Sequence, residues 1–250
     1  MKNSDMHITG EMKMVDVVHE DIQLLAVIQR LNIPLGFKEK TVKEICEQHE
    51  VDLLFFLQLC NSYHDKEYLP ADQFQEFPVD WIINYLRNAH RCYIHFRIPA
   101  IEQQIVMLEK ENQGNVKNME LLLNFFREYI REFSGHIDRE ETDVFPYILR
   151  LANSLQQQDV SKEFVDHFDD YSIDKYLEDH NLIEEKLFDL KNILLKYLPP
   201  PVDDCKYNNL LFDLFRLESD LMDHSDLEEK VLFPRVRNME IKMKHLQNRH

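Results

Sequence analysis

The chain has 250 residues, only four glycines and a formal net charge of −17. Because an acidic surface repels the phosphates of nucleic acids, we expect no nucleic-acid partner. No apolar run approaches the roughly 18 residues that a membrane span needs, so we expect no membrane insertion. The four cysteines contain no CxxC pair and the first residues are polar, which predicts reduced thiols and a cytoplasmic protein without a signal peptide.

Apolar residues recur at helical spacing through most of the chain, which predicts an all-α protein. Residues 1–66 are predicted to form a small helical N-terminal domain of three short helices. The first helix is predicted from Val15 to Leu31. The second begins at a capping box, Thr41-Val42-Lys43-Glu44, in which the side chains of Thr41 and Glu44 can each accept a hydrogen bond from the backbone amide of the other. The third runs from Leu53 to about Tyr63.

The second and third of these helices loosely resemble a helix-turn-helix. The helix in the recognition position would be Leu53–Cys60, which contains no Arg or Lys to reach bases or phosphates. We therefore do not expect this domain to bind DNA.

Residues 67–78 are polar, contain two prolines and are predicted to be a linker. Residues 79–237 are predicted to form four longer helices, from Val79 to about Leu108, Lys117 to Leu151, Ile173 to Leu198, and Tyr207 to Phe233. We expect the helices to bend or to weaken at Pro99, Pro146 and Pro234, because a proline ring clashes with the carbonyl four residues back.

Basic residues collect at the C-terminal end, where residues 238–250 are predicted to be a basic tail. From position 235 onward, Glu240 is the only acidic residue against Arg235, Arg237, Lys242, Lys244 and Arg249. Two interpretations stay open, a solvated terminal segment and a docking tail for an acidic partner.

Two stretches of the chain, His136–Pro146 and His224–Pro234, share His, Asp, Glu-Glu, an aliphatic residue, Phe and Pro at the same offsets. A His and a Glu four residues apart lie one turn above each other on one helix face. Both pairs fall on a face that is otherwise apolar, where an uncompensated carboxylate is costly. No Lys or Arg continues either apolar stripe, so a bound cation is the simplest compensation.

A further histidine stands on the core face of the first and third long helices, so the pattern His…His-x-x-x-Glu occurs twice. This pattern indicates an internal duplication and a four-helix bundle whose core collects six ligand groups. Such a set suits a pair of metal ions: His90, His136, Glu140, His180, His224 and Glu228. Histidines satisfied within a metal-free core are the alternative, and the nearby His95 leaves open whether it substitutes for His90.

The four-helix part resembles hemerythrin-like (HHE cation-binding) domains and, more narrowly, the bacterial iron–sulfur cluster repair di-iron proteins, the RIC family. The resemblance is carried by both His-x-x-x-Glu stretches, by Met222-Asp223 and Arg235 around the second, and by Ile98-Pro99, Asp179-His180 and Pro199-Pro200-Pro201. It implies two Fe ions with a bridging oxo or hydroxo group, held by the four histidines, with Glu140 and Glu228 bridging. Asp179 stands where the family usually has Glu, and Leu35-Gly36-Phe37 stands where it usually carries a Cys-Cys pair.

The resemblance implies a cytoplasmic di-iron protein that helps to repair iron–sulfur clusters damaged by nitrosative or oxidative stress. Its metals would bind NO or O2 or donate iron, and its partners would be damaged iron–sulfur proteins or these gases. Whether the protein forms a homodimer stays open. Two alternatives remain, a non-catalytic hemerythrin-like sensor or carrier of O2 or NO, and a metal-free helical interaction module. Whether the protein is an enzyme stays open.

Overall fold

The computed structural model describes residues 7–111, 116–158, 172–178, 183–197 and 203–247. These residues are mainly helical and contain no strand, apart from one isolated bridge between Lys13 and Thr41. The predicted all-α class is therefore confirmed. The chain consists of two compact units, residues 1–88 and 89–250. Within the described ranges, no helix combines the length and the apolar character needed to cross a membrane.

The first unit is built from short helices. They are α1 (Met14–Glu20), α2 (Leu24–Arg30), α3 (Val42–Gln48), α4 (Leu53–His64), α5 (Ala71–Phe74) and α6 (Val79–Cys92), the last of which continues into the second unit. The single helix predicted from Val15 to Leu31 is instead two helices. Asp21 causes the break, because its extended backbone ends α1 and its carboxylate accepts the Gln23 amide at 3.0 Å. The other oxygen of Asp21 lies 3.2 Å from Nδ1 of the buried His64.

The stretch predicted as a linker, residues 67–78, contains the single-turn helix α5. Phe74 of this helix is fully buried and meets Phe55 edge-on at 6.3 Å between ring centroids. Phe77 also contacts Phe55, at 5.2 Å. The aromatic side chains of this otherwise polar stretch therefore pack within the first unit.

The capping box predicted at the start of α3 is confirmed. The Glu44 amide donates to Thr41 Oγ1 at 3.2 Å, and the Thr41 amide donates to Glu44 Oε2 at 2.8 Å. Replacing Thr41 by alanine removes this cap and should lower the free energy of unfolding by about 1 kcal/mol. Urea denaturation checks the value, with Glu47→Ala on the exposed side of α3 as the control. Equal effects of the two substitutions would show that the cap contributes nothing.

The second unit continues from the end of α6. Its elements are π1 (Tyr93–Arg97), α7 (Ile98–Glu111), α8 (Val116–Arg139), π2 (Glu140–Val144), α9 (Phe145–Gln157), α10 (Ile173–Glu178), α11 (Ile183–Asn192), π3 (Ile193–Tyr197), α12 (Asp204–Leu227), π4 (Glu228–Leu232) and α13 (Phe233–Gln247). Helix α7 packs against α8 and α12, and α11 packs against the same two helices. This closed ring of four is the predicted bundle. Apolar side chains such as Phe126, Leu187 and Leu214 are fully buried inside it.

Three of the π turns directly precede an X-Pro pair, at Pro99, Pro146 and Pro234. The amide of the residue before each proline donates to the carbonyl five residues back, from Ile98 to Tyr93, Phe145 to Glu140, and Phe233 to Glu228. A widened turn accommodates a ring that would clash with the carbonyl of a regular α-turn, so helical structure continues past each proline. Two of these turns begin at the glutamates of the repeated motif.

Candidate metal centre

The structure brings together five of the six predicted ligand residues in what we call the histidine–carboxylate cluster. Its members are His90 on α6, His136 on α8, Glu140 at the start of π2, His224 on α12 and Glu228 at the start of π4. All five are buried, with exposed fractions between 0% and 8%. Donor atoms of His90, Glu140, His224 and Glu228 lie within 4.8 Å of one another. His180, the sixth, lies outside the described residues, and His95 is exposed.

Local helix geometry positions each His-x-x-x-Glu pair. His136 Nε2 lies 3.2 Å from Glu140 Oε1, and His224 Nε2 lies 3.2 Å from Glu228 Oε1. The two halves of the duplication therefore present the same pair with the same separation. This agrees with the one-turn stacking that the four-residue spacing requires.

His90 connects the two pairs. Its Nε2 atom lies 3.1 Å from His224 Nε2 and 3.3 Å from Glu140 Oε2. Glu140 consequently presents one oxygen towards His90 and the other towards His136. A carboxylate placed between two imidazoles in this way has the arrangement of a bridging ligand.

Neighbouring side chains hold His90 and His224 in place. Glu141 Oε1 lies 2.8 Å from His90 Nδ1, and a carboxylate there favours the tautomer whose Nε2 lone pair faces the cluster. Phe145 stacks on the His90 ring at 5.5 Å, and Tyr93 meets the His224 ring edge-on at 5.7 Å. Glu141 was not predicted to be a site residue, although the Glu-Glu pair of both motifs was a signal for it.

Tyr176 on α10 is a second residue that the sequence analysis missed. Its hydroxyl donates to Glu140 Oε1 at 2.9 Å, and its ring meets Phe233 edge-on at 5.9 Å. The phenol is buried, and burial together with the Glu140 charge raises the pKa of Tyr176 above its usual value, so it is a neutral donor. Tyr176 lies four residues before His180 in the sequence, but this spacing gives no signal of the contact with Glu140.

Without a metal, the histidines of the cluster compensate its buried charge. Burial acts to lower the pKa of His90, but hydrogen bonds to Glu140 and Glu141 outweigh it and raise that pKa to about 9. Burial also opposes the charged form of His136, whose pKa Glu140 nevertheless raises. Burial alone would raise the pKa of Glu140, but His136 and His90 hold it well below its usual range. The metal-free cluster thus keeps its carboxylate ionised by holding protons that a cation can replace.

These shifts predict the pH dependence of the metal-free protein. His90 has a pKa of about 9 when folded and about 6.5 when unfolded, so its contribution to stability is complete below pH 6.5 and is lost as pH rises through 9. We expect the free energy of unfolding to fall across this window. Urea denaturation at several pH values should give a smaller slope for His90→Gln. An equal slope in both proteins would contradict the assignment.

The donor set fits a transition metal. Imidazole nitrogens mixed with carboxylate oxygens suit iron, manganese or zinc rather than calcium or magnesium, which prefer oxygen ligands. Glu140 and Glu228 are 0% and 2% exposed, and carboxylates this deeply buried require positive compensation. The cluster therefore has both the ligand chemistry and the charge for cation binding.

Comparison with known proteins agrees with this geometry. Residues 100–236 match the hemerythrin HHE cation binding domain, a range that includes His136, Glu140, His224 and Glu228 but begins after His90. The iron-sulfur cluster repair protein ScdA of Staphylococcus haemolyticus (strain JCSC1435) is 24% identical over 153 residues, which are 61% of this chain and 64% of that protein. The match thus spans less than two thirds of that relative. Because the domain match covers more than half of the chain and the described helices form the expected bundle, the chain belongs to the hemerythrin HHE cation-binding family.

Proposed function

We propose that the protein is a di-iron protein that takes part in the repair of iron–sulfur clusters damaged by nitrosative or oxidative stress. The proposed ligands are His90, His136, Glu140, His180, His224 and Glu228. One observation carries the proposal: buried imidazole and carboxylate donors from α6, π2, α12 and π4 converge within 4.8 Å. Two metals suit this ligand set better than one, because each half of the duplication supplies two imidazoles and one carboxylate.

The contacts around Glu140 divide the donors into two groups. The first cation position comprises His90, His224, Glu228 and Oε2 of Glu140, whose donor atoms approach one another across the bundle. The second cation position comprises His136 and Oε1 of Glu140, 3.2 Å apart, with His180 assigned to it by the duplication. Glu140 belongs to both groups through its two oxygens, and Glu228 is proposed as the second bridging ligand.

When bound, ferrous ions would supply a coordination position for NO or O2, or iron for transfer to a damaged cluster. The protein's own residues prepare the site for this chemistry. Glu141 directs the Nε2 lone pair of His90 into the cluster, while Phe145 and Tyr93 cover the His90 and His224 rings. These aromatic contacts keep water away and so strengthen the attraction between the carboxylates and a cation.

Repair is favoured over sensing because the relative described above is named an iron-sulfur cluster repair protein. Its proposed partners are damaged iron–sulfur proteins of the cytoplasm. Thiol chemistry by the first unit is not part of the proposal. Burial raises the pKa of the Cys46 thiol to about 12 and that of the Cys60 thiol well above its usual value, so neither forms a reactive thiolate.

The proposal is tested by incubating an iron–sulfur enzyme, inactivated with nitric oxide, with the iron-loaded protein. We expect reactivation that exceeds the effect of the metal-free protein and of the same concentration of free ferrous iron. Failure to reactivate would contradict the repair role. If the optical spectrum of the iron-loaded protein then still changes with NO, a sensor or carrier of this gas becomes the better description.

A further inference from the structure

The two oxygens of Glu140 have different surroundings. Oε2 faces His90 in the first cation position, at 3.3 Å. Oε1 faces His136 in the second cation position and also accepts the hydroxyl of Tyr176, at 2.9 Å. Tyr176 therefore acts on the oxygen that belongs to the second cation position.

The position that corresponds to Tyr176 in the first half of the duplication is not occupied by a tyrosine. Tyr176 precedes His180 by four residues, and the residue four positions before His90 is Leu86. Leucine has no hydrogen-bond donor, so the first half of the chain cannot supply an equivalent hydroxyl from that position. The support of Glu140 by a phenol is thus a property of one half of the duplication.

The position of Tyr176 is fixed by its own helix, α10. Glu240 on α13 is buried and accepts the Ile173 amide at 2.9 Å and the Tyr147 hydroxyl at 2.7 Å. Asp174 pairs with Arg237 of the same helix at 2.7 Å. These contacts fasten the first turn of α10 to α13, and Tyr147 in turn connects Glu240 to α9, so the phenol reaches Glu140 from a fixed support.

We propose that Tyr176 is a positioning residue for the second cation position alone. Its hydroxyl holds Glu140 Oε1 towards His136, so the affinity for one cation depends on Tyr176 and the affinity for the other does not. The inference rests on the proposed two-iron centre. A carboxylate that binds a metal needs such outer partners, and their removal typically weakens metal affinity about 10–100-fold. Loss of the hydroxyl should therefore weaken one cation and leave the other unchanged.

The experiment is an anaerobic titration of the metal-free protein with Fe²⁺ against a competing chelator, for wild type and Tyr176→Phe. Phenylalanine keeps the ring and its packing against Phe233. We expect the first equivalent to bind as in wild type and the second to bind at least about tenfold more weakly. Tyr207→Phe is the matched control, because it also removes one hydroxyl bond, to the Leu194 carbonyl, about 25 Å along α12 from His224.

The outcomes separate positioning from a general structural role. If Tyr176 had a general structural role, Tyr176→Phe would weaken the binding of both equivalents together. It would also lower the melting temperature of the metal-free protein below that of metal-free Tyr207→Phe. This result would overturn the inference. Unchanged affinity for both equivalents would also overturn it. In a His136→Gln background, which lacks the nitrogen of the second position, adding Tyr176→Phe should not change the affinity of the remaining cation. If wild type binds no iron, the proposed function fails as well; if it binds two and Tyr176→Phe binds them equally well, only this inference fails.

Discussion

Glu140→Gln is expected to reduce bound iron from about two ions per chain to fewer than one, because Glu140 is a carboxylate shared by both cation positions. Glutamine keeps the shape of the side chain but loses the negative charge and one of the two acceptor oxygens. Removing one partner from a buried charge cluster costs about 3–5 kcal/mol, which corresponds to roughly a 10²–10⁴-fold loss of affinity. Iron analysis after anaerobic loading and desalting measures the effect.

The control for this substitution is Glu102→Gln. Glu102 pairs with Arg127 at 2.8 Å on the partly exposed surface of the same unit, so the chemical change is identical but lies outside the cluster. We expect the control to bind iron as wild type does. Wild-type iron content in Glu140→Gln would mean that the metals are held elsewhere, and the ligand assignment would be wrong.

Removal of the metal is expected to lower the melting temperature of the second unit by roughly 10 °C. A ligand at about 1,000 times its dissociation constant stabilises the folded state by about 4 kcal/mol, and each kcal/mol corresponds to about 2–4 °C for a protein of this size. The physical source is the compensation of Glu140, whose charge the metal-free protein balances with the protonated His90 and His136.

Calorimetry of the iron-loaded and chelator-treated protein provides the measurement. Phe56→Leu, which weakens the core of the first unit, identifies the transition that belongs to residues 1–88. The iron-dependent shift should appear in the other transition, or in the single transition if the units unfold together. Identical melting curves with and without iron would contradict a structural contribution of the metal.

Local rules predicted much of the site. Four-residue spacing was enough to stack His136 on Glu140 and His224 on Glu228, because that geometry is internal to one helix. The convergence of the two pairs followed from the duplication, since helices with matching apolar faces must bury them together. The structure adds that His90, rather than the exposed His95, meets the two pairs.

Features that depend on contacts between distant segments were not predictable from spacing. The contact between Asp21, where α1 ends, and His64 on α4 is one example. The contact between Tyr176 and Glu140 depends on how α10 packs, which no helical pattern encodes. The π turns before Pro146 and Pro234 were predictable only in part. The prolines indicated a disturbed helix, but a bend and a widened turn both relieve the clash of the proline ring with the preceding turn.

The most direct test of the central claim is the iron stoichiometry of the wild-type protein, measured by metal analysis together with Mössbauer spectroscopy after anaerobic loading. The account predicts about two iron ions per chain, with a spectrum that shows the magnetic coupling of a bridged pair after oxidation. It also predicts that this spectrum is lost in a His136→Gln, His224→Gln double variant. Folded wild-type protein that retains no iron, or a double variant that retains both ions, would contradict it.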